Sequence, residues 1–171
     1  MELSNVKLYS LSLRDVRTYI FAALFIAGNI VFPQLCHVLI PKGGLIFLPI
    51  YFFTLIGAYK YGAKVGMLTA VLSPIINSAL FGMPAASALP MIIMKGVLLA
   101  GAASLVASHT KKVSILAILA VVLAYQVLGC GMEWAVKGSF MAGFQDFRLG
   151  LPGMLIQVLG GWAFIKFVIK K

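Results

Sequence analysis

The chain has 171 residues, of which 62% are hydrophobic and only 11% are charged. This composition is far from that of soluble domains and is typical of a single integral membrane domain. The net charge of +10 could indicate nucleic-acid binding, but the basic residues fall in short clusters between apolar runs. They form no stripe with interleaved aromatic residues, so composition and charge exclude a nucleic-acid-binding domain.

Six apolar runs predict an all-α bundle of six membrane-spanning helices, which we call spans 1 to 6. Their approximate ranges are 18–40, 45–59, 65–81, 87–108, 113–134 and 151–169. Pro41 and the pair Gly43-Gly44 end span 1, span 2 is short, and a mixed loop is expected from Ala135 to Leu149. The sequence therefore predicts one domain over residues 1–171, with both termini on the same side of the membrane.

The distribution of basic residues predicts the orientation. Ten lie on the side of the termini and three on the opposite side, with Lys95 inside a span. The ten are Lys7, Arg14, Arg17, Lys60, Lys64, Lys111, Lys112, Lys166, Lys170 and Lys171, and the three are Lys42, Lys137 and Arg148. Because cytoplasmic loops carry an excess of Lys and Arg, both termini are expected in the cytoplasm.

Span 4 carries a full charge, Lys95, roughly 12 Å along the helix from Ser87 and near the middle of the bilayer. A lysine at that depth costs at least about 2.5 to 3.5 kcal/mol, and such residues usually face a protein interior or a wet cavity. Lys95 either binds an anionic group of a ligand or pairs with a carboxylate of the protein. Glu133 is the candidate partner, and an internal Lys95–Glu133 pair would remove the indication of an anionic ligand.

Six further polar residues of the spans lie in their outer halves. They are Gln34 and His37 in span 1, Asn77 in span 3, Gln126 and Glu133 in span 5, and Gln157 in span 6. Lipid offers these side chains no hydrogen-bond partner, so their convergence predicts a small-molecule site below the outer surface. The nearly apolar inner half argues against a continuous channel.

The sequence gives little support for metal binding, ATP hydrolysis or catalysis. Cys36 and Cys130 have no zinc or redox spacing, and His37 beside Cys36 is too little for a metal site. No G-x-x-x-x-G-K-[ST] motif is present, so the chain is not expected to hydrolyse ATP unaided. No acid, base and nucleophile converge, so an enzyme is not expected, and no cofactor is predicted.

Small residues predict close helix contacts. Ala23 and Ala27 form a small-x-x-x-small pair in the inner half of span 1, where an external partner and internal packing are both open. Span 4 has a second set, Gly96, Ala100, Ala103 and Ala107, which we expect to pack inside the bundle.

Four features of the chain occur together: six spans, a basic N-terminus leading into Ala23-Leu-Phe-Ile-Ala27, a Gly-rich turn after span 1, and polar groups in the outer halves of the spans. In these features the chain resembles an S-component, which is the substrate-binding subunit of an energy-coupling factor (ECF) transporter. The resemblance implies a binder of a vitamin or vitamin-like molecule. It also implies docking through span 1 on a transmembrane coupling protein, with two cytoplasmic ATPases supplying energy.

The resemblance also implies a site. It would be formed by the outer halves of spans 4, 5 and 6 and capped by the connection from Pro41 to Leu45. The implied binding residues are Lys95, Gln126, Glu133, Trp134 and Gln157, beside the candidates Asn77 and His37. Trp134 could stack on a heterocycle or belong to an interfacial aromatic belt. An ion-coupled secondary transporter of a small organic solute is the alternative, although no internal repeat is seen.

Overall fold

The computed structural model describes residues 6–169, apart from the side chain of Asp146, as helices and connecting turns without a strand. Five helices in this part of the chain are long and apolar enough to cross a membrane. They are Val16–Leu39, Ala63–Phe81, Ala86–Thr110, Ile115–Lys137 and Leu151–Val168. The predicted all-helical fold is confirmed, and the structure indicates a multi-pass membrane protein.

Eight helices are labelled α1 to α8 in chain order. They are α1 (Val16–Leu39), α2 (Gly43–Phe47), α3 (Phe52–Tyr61), α4 (Ala63–Phe81), α5 (Leu89–Thr110), α6 (Ile115–Lys137), α7 (Phe140–Leu149) and α8 (Leu151–Val168). One-turn 3₁₀ helices, Pro49–Tyr51 and Ala86–Ala88, precede α3 and α5. Helix α8 alternates between α and π geometry, with π segments at Ile156–Gly160 and Phe164–Val168.

The outer surface of the bundle is apolar. Large aliphatic side chains point away from the protein on several helices, including Val38, 83% exposed, and Leu116, 77% exposed. Extended apolar surfaces of this kind are not tolerated in water by a monomeric protein. These faces are therefore the ones that meet lipid.

The two ends of the bundle differ. At one, which we call the proximal end, the backbone N–H groups of Tyr9 and Leu11 donate to the carbonyl oxygens of Lys60 and Tyr61 at the end of α3. At the other, the distal end, α1 leads into α2, and α6 leads into α7. The candidate site lies at the distal end.

Helix α3 occupies the centre of the bundle. Nine of its ten residues are buried, and it contacts α1, α4 and α5. It runs antiparallel to α1, since Phe53 lies beside Asn29 and the Tyr61 ring stacks on Phe21 with centroids 3.9 Å apart. The chain thus descends from the distal end through α2, a 3₁₀ turn and α3.

Two predictions about these elements are wrong. Span 2 is not one continuous helix over 45–59, because the chain breaks at Leu48 between α2 and the following 3₁₀ turn. The expected loop from Ala135 to Leu149 is largely helical, because α6 continues to Lys137 and α7 follows. The six-span count and the orientation stay predictions.

The small residues separate into two groups. Gly96, Ala100, Ala103 and Ala107 are all buried in α5, which confirms the expected internal packing. Ala23 and Ala27 lie exposed on the outward face of α1. Their surface is therefore available to lipid or to another helix.

Candidate solute-binding site

A buried polar network in the middle of the bundle explains where α3 begins. The Asn29 amide oxygen of α1 accepts from the backbone N–H of Phe53 at 3.1 Å, and the Asn29 amide nitrogen donates to Thr54 Oγ1 at 3.0 Å and Ser73 Oγ at 3.2 Å. The first N–H groups of a helix have no partner within the helix, and lipid supplies none. Asn29 therefore supports a helix start deep inside an apolar bundle.

The same network extends toward the distal end. Asn77 of α4 donates to the Asn29 carbonyl oxygen at 2.8 Å, and Gln34 donates to the Asn77 amide oxygen at 3.2 Å. Asn77 is 1% exposed, whereas Gln34 is half-buried. This chain of amides ends where the distal cavity begins.

Helix α2 lies across the distal end as a short cap, residues 43–47. The residues on either side of it, Lys42 and Leu48, adopt left-handed backbone conformations with φ of 62° and 46°. Such conformations are uncommon for residues other than glycine and are concentrated at functional sites. They turn the chain sharply into and out of the cap.

Two glycines let this cap sit close to its neighbours. A β-carbon at Gly43 would lie 2.3 Å from the Cys36 carbonyl oxygen of α1, and one at Gly153 of α8 would lie 2.4 Å from the Phe47 carbonyl group. Both contacts are with backbone atoms, which cannot move aside easily. The cap is therefore held between α1 and α8 at distances that only glycine permits.

One cavity beneath the cap, the amide chamber, lies between α1, α4 and the start of α5. Its volume is about 480 Å³. Gln34, His37, Asn77 and Lys42 supply its polar groups, and the rest of the wall is mainly apolar, including Pro33, Pro49 and Met83. The chamber offers hydrogen bonds on a largely apolar wall, as ligand sites usually do.

A second cavity, the ionic chamber, lies between the cap, α5, α6 and α7. Its volume is about 380 Å³. Lys95, Glu133, Lys137 and Gln145 line it together with Tyr51. Both volumes lie within the usual range for small-molecule sites.

The charges of the ionic chamber centre on Glu133. Lys95 Nζ lies 2.5 Å from Glu133 Oε2, and Lys137 Nζ contacts Glu133 Oε1 from one helical turn along α6. The side chains of Lys95 and Glu133 are 2% and 8% exposed, whereas that of Lys137 is 47% exposed. The ion pair that the sequence left as an alternative is present, and its members also line a cavity.

Gly129 leaves the space through which the Lys95 side chain crosses α6. A β-carbon at Gly129 would lie 2.9 Å from Lys95 Cγ and 3.2 Å from Cε. Any larger residue would push the lysine stem away from the helix. The absence of a side chain at Gly129 therefore allows Lys95 to reach Glu133, which lies one turn further along α6.

The two chambers share part of their walls. Both are lined by Gly44 and Leu45 of the cap, by Ile50 of the 3₁₀ turn, by Ala88 just before α5 and by Ile92 within α5. The distal end thus carries two adjacent chambers, one lined by amide side chains and the other by charged side chains.

The predicted site residues divide between several places. His37 and Asn77 line the amide chamber, and Lys95 and Glu133 line the ionic chamber. Trp134, 52% exposed, lines a separate apolar hollow between α6 and α7 together with Phe140 and Phe144. The structure places four of the seven candidates in one or the other of the two chambers, and ligand contact by each stays a prediction.

Gln126 and Gln157 lie deeper in the bundle and line neither chamber. Both are fully buried, and the Tyr125 hydroxyl donates to the Gln157 amide oxygen at 3.0 Å. Among the described residues, no hydrogen-bond partner is assigned to either polar atom of the Gln126 amide or to the Gln157 amide nitrogen.

Sequence reasoning missed three residues that build the site. Asn29 lies mid-span, and its polarity within an apolar run was the available signal. Lys137 was assigned to a loop, although it follows Glu133 by four residues, the spacing of a helical ion pair. Gln145 was hidden by the same loop assignment.

The chain matches no protein-family model, no curated protein and no solved structure. The class of this protein is therefore defined by its fold and its cavities alone. It is a multi-pass helical membrane protein with a solute-sized cavity beneath a short cap helix.

Proposed function

We propose that this protein is a membrane-embedded binding subunit for a vitamin-like small molecule and that it works as an S-component of an ECF-type transporter. The observation that carries the proposal is the two-chamber surface beneath α2. It combines solute-sized volume, a buried ion cluster and hydrogen-bonding amides at one end of a bundle whose outer faces are apolar.

The position of the cap supports uptake from outside the cell. In the proposed orientation the proximal end faces the cytoplasm, because most basic residues lie there, and the cap faces outward. A solute would enter under α2 and meet the amides and the ion cluster before reaching the buried α3. The chain would belong to a prokaryotic cytoplasmic membrane.

The energy would come from partners. The sequence carries no phosphate-binding loop, so a transmembrane coupling protein and two cytoplasmic ATPases would drive release of the solute. The exposed Ala23 and Ala27 of α1 supply a small surface on which a partner helix could pack closely. That surface lies in the proximal half of α1, away from the chambers.

The test is uptake by proteoliposomes that contain this protein with and without a coupling protein and its ATPases. We expect solute uptake only with the complete set and ATP. Ala27→Trp should block uptake by holding the partner helix away, while solute binding to the isolated subunit is unchanged. Leu159→Trp, on the exposed surface of α8, is the matched control.

One result would contradict the docking surface, and another would contradict the proposed function. Normal ATP-driven uptake by the Ala27→Trp protein would show that this face does not dock the partner. Uptake by the protein alone, driven by a sodium or proton gradient, would instead establish the secondary transporter as the function.

A further inference from the structure

The orientation of the Asn77 amide is fixed by a backbone group. Its amide nitrogen lies 2.8 Å from the Asn29 carbonyl oxygen, which can only accept a hydrogen bond. Pro33, four residues after Asn29 in α1, has no N–H, so this carbonyl lacks the donor that a helix normally supplies. An exchanged amide would bring two acceptors together at a position where Asn77 is 1% exposed. The Asn77 oxygen therefore faces the other way, toward Gln34.

The orientation of Asn77 determines that of Gln34. Because Asn77 Oδ1 can only accept, the Gln34 atom that lies 3.2 Å from it is the amide nitrogen, Nε2. Asn29 is itself held in the core, since its side chain bonds the backbone N–H of Phe53 and the hydroxyl of Ser73. Contacts from α1, α3 and α4 thus hold the Gln34 amide in one orientation.

The amide chamber receives the part of Gln34 that Asn77 does not use. Gln34 is half-buried and lines the chamber. With one N–H given to Asn77, its amide retains the oxygen, Oε1, and a second N–H. In the part of the chain that the structure describes, no group donates to Oε1. A solute that carries a donor satisfies this oxygen, whereas a solute without one leaves it unpaired.

We propose that Asn77 is a positioning residue for solute recognition and that Gln34 Oε1 accepts a hydrogen bond from an amide or lactam N–H of the solute. Such a group also offers a C=O for the remaining N–H of Gln34. The contacts lie on α1, α3 and α4, outside the spans that the resemblance to an S-component assigns to solute binding. This inference rests on the proposed function, because it names a chemical group of the solute that the protein takes.

The experiment uses the purified full-length protein and two lactams that differ by one methyl group. The first, δ-valerolactam, has a ring N–H beside its C=O, and N-methyl-δ-valerolactam is the same ring without that donor. Saturation-transfer NMR measures the dissociation constant of each. We expect the wild type to bind δ-valerolactam about tenfold more tightly, because a site built to bond an N–H rejects the analogue that lacks it.

Three variants test the source of this preference. Gln34→Leu removes the acceptor, so both lactams should bind equally weakly. Asn77→Leu leaves the Gln34 amide free to rotate and should lose the preference, whereas Asn77→Asp retains an oxygen that accepts from Gln34 and should keep it. A purely structural role of Asn77 would alter stability but not the ratio of the two dissociation constants. Gln145→Leu, which removes the same amide group from the ionic chamber, is the matched control and should keep the full preference.

Equal affinity of the wild type for the two lactams, binding of neither, or a preference that persists in Gln34→Leu would overturn the inference. Loss of the preference in Gln145→Leu would do the same. A preference that survives Asn77→Leu, or that is lost in Asn77→Asp, would refute the positioning role of Asn77.

The proposed function is tested separately, by ATP-driven uptake with the coupling protein and its ATPases. A protein that supports this uptake but shows no lactam preference keeps the proposed function and loses the inference. A protein that prefers the N–H lactam but gives no uptake with the complete set contradicts the proposed function alone.

Discussion

Removal of the Glu133 carboxylate should be the most damaging single change at the distal end. Glu133→Gln takes away the acceptor of two ammonium groups and leaves the cations of Lys95 and Lys137 close together. Breaking a buried ion pair by removing one partner costs about 3 to 5 kcal/mol. That is a large fraction of the stability of a typical protein, about 5 to 15 kcal/mol.

Lys95→Met should cost less, because Glu133 keeps Lys137 as a partner. Loss of one hydrogen bond to a charged group costs about 1.5 to 3 kcal/mol. Lys137→Met should change stability by less than about 1 kcal/mol, since its side chain is half exposed. The structure therefore predicts an order of damage, with Glu133 first, Lys95 second and Lys137 last.

The double variant Lys95→Met with Glu133→Gln provides the decisive comparison. It removes the buried cation with the buried anion, so it should recover at least about 2 kcal/mol relative to Glu133→Gln alone. The assay is reversible unfolding in mixed micelles, followed by tryptophan fluorescence. It compares the wild type, Glu133→Gln, Lys95→Met and the double variant. A Glu133→Gln protein as stable as the wild type, or strictly additive losses in the double variant, would refute the buried pair.

Three further substitutions test residues that hold α3, Lys95 and the cap helix in place. Asn29→Leu leaves the Phe53 N–H without its acceptor and should lower the free energy of unfolding by about 1 to 3 kcal/mol in the same assay; an unchanged value would show that α3 does not depend on this contact. Gly129→Ala should displace Lys95 and lower the melting temperature, whereas Gly131→Ala, which meets nothing within 4 Å, should not. Gly153→Ala should push the cap from α8 and weaken solute binding, and equal binding by wild type and variant would count against a closely held cap.

The long helices could be predicted from the sequence because their signal is local. Runs of about twenty apolar residues are sufficient to identify α1, α4, α5, α6 and α8, and the expected ranges agree with the structure to within a few residues at most ends. Burial of the small residues of α5 also followed from composition alone. These features depend on each segment and its solvent, not on distant contacts.

The break in span 2 could not be predicted in this way. Its position depends on Asn29, a residue 24 positions before Phe53 in the chain, whose side chain accepts the N–H of the new helix. The local sequence shows only an apolar run that contains Pro49. The partner that makes a mid-bundle helix start tolerable becomes visible only when α1 and α3 are packed together.

Helix α7 was missed for a different reason. Phe140, Phe144 and Phe147 follow helical spacing and stack in sequence, with ring centroids 5.6 Å and 5.2 Å apart. The pattern was present, but the segment from Ala135 to Leu149 was predicted as a mixed loop. That interpretation also removed Lys137 and Gln145 from consideration, and so the sequence indicated only half of the ionic chamber.

The central claim is that a small organic solute occupies the surface beneath α2, and native mass spectrometry of the protein purified in mild detergent tests it most directly. We expect one bound solute on the wild type and on Lys64→Gln, which changes an exposed lysine at the start of α4 near the proximal end. Ile92→Trp, which fills the wall common to both chambers, should carry none while retaining the wild-type melting temperature of the solute-free protein. A wild-type protein without any bound solute, or an Ile92→Trp protein with the same occupancy as the wild type, would contradict the account.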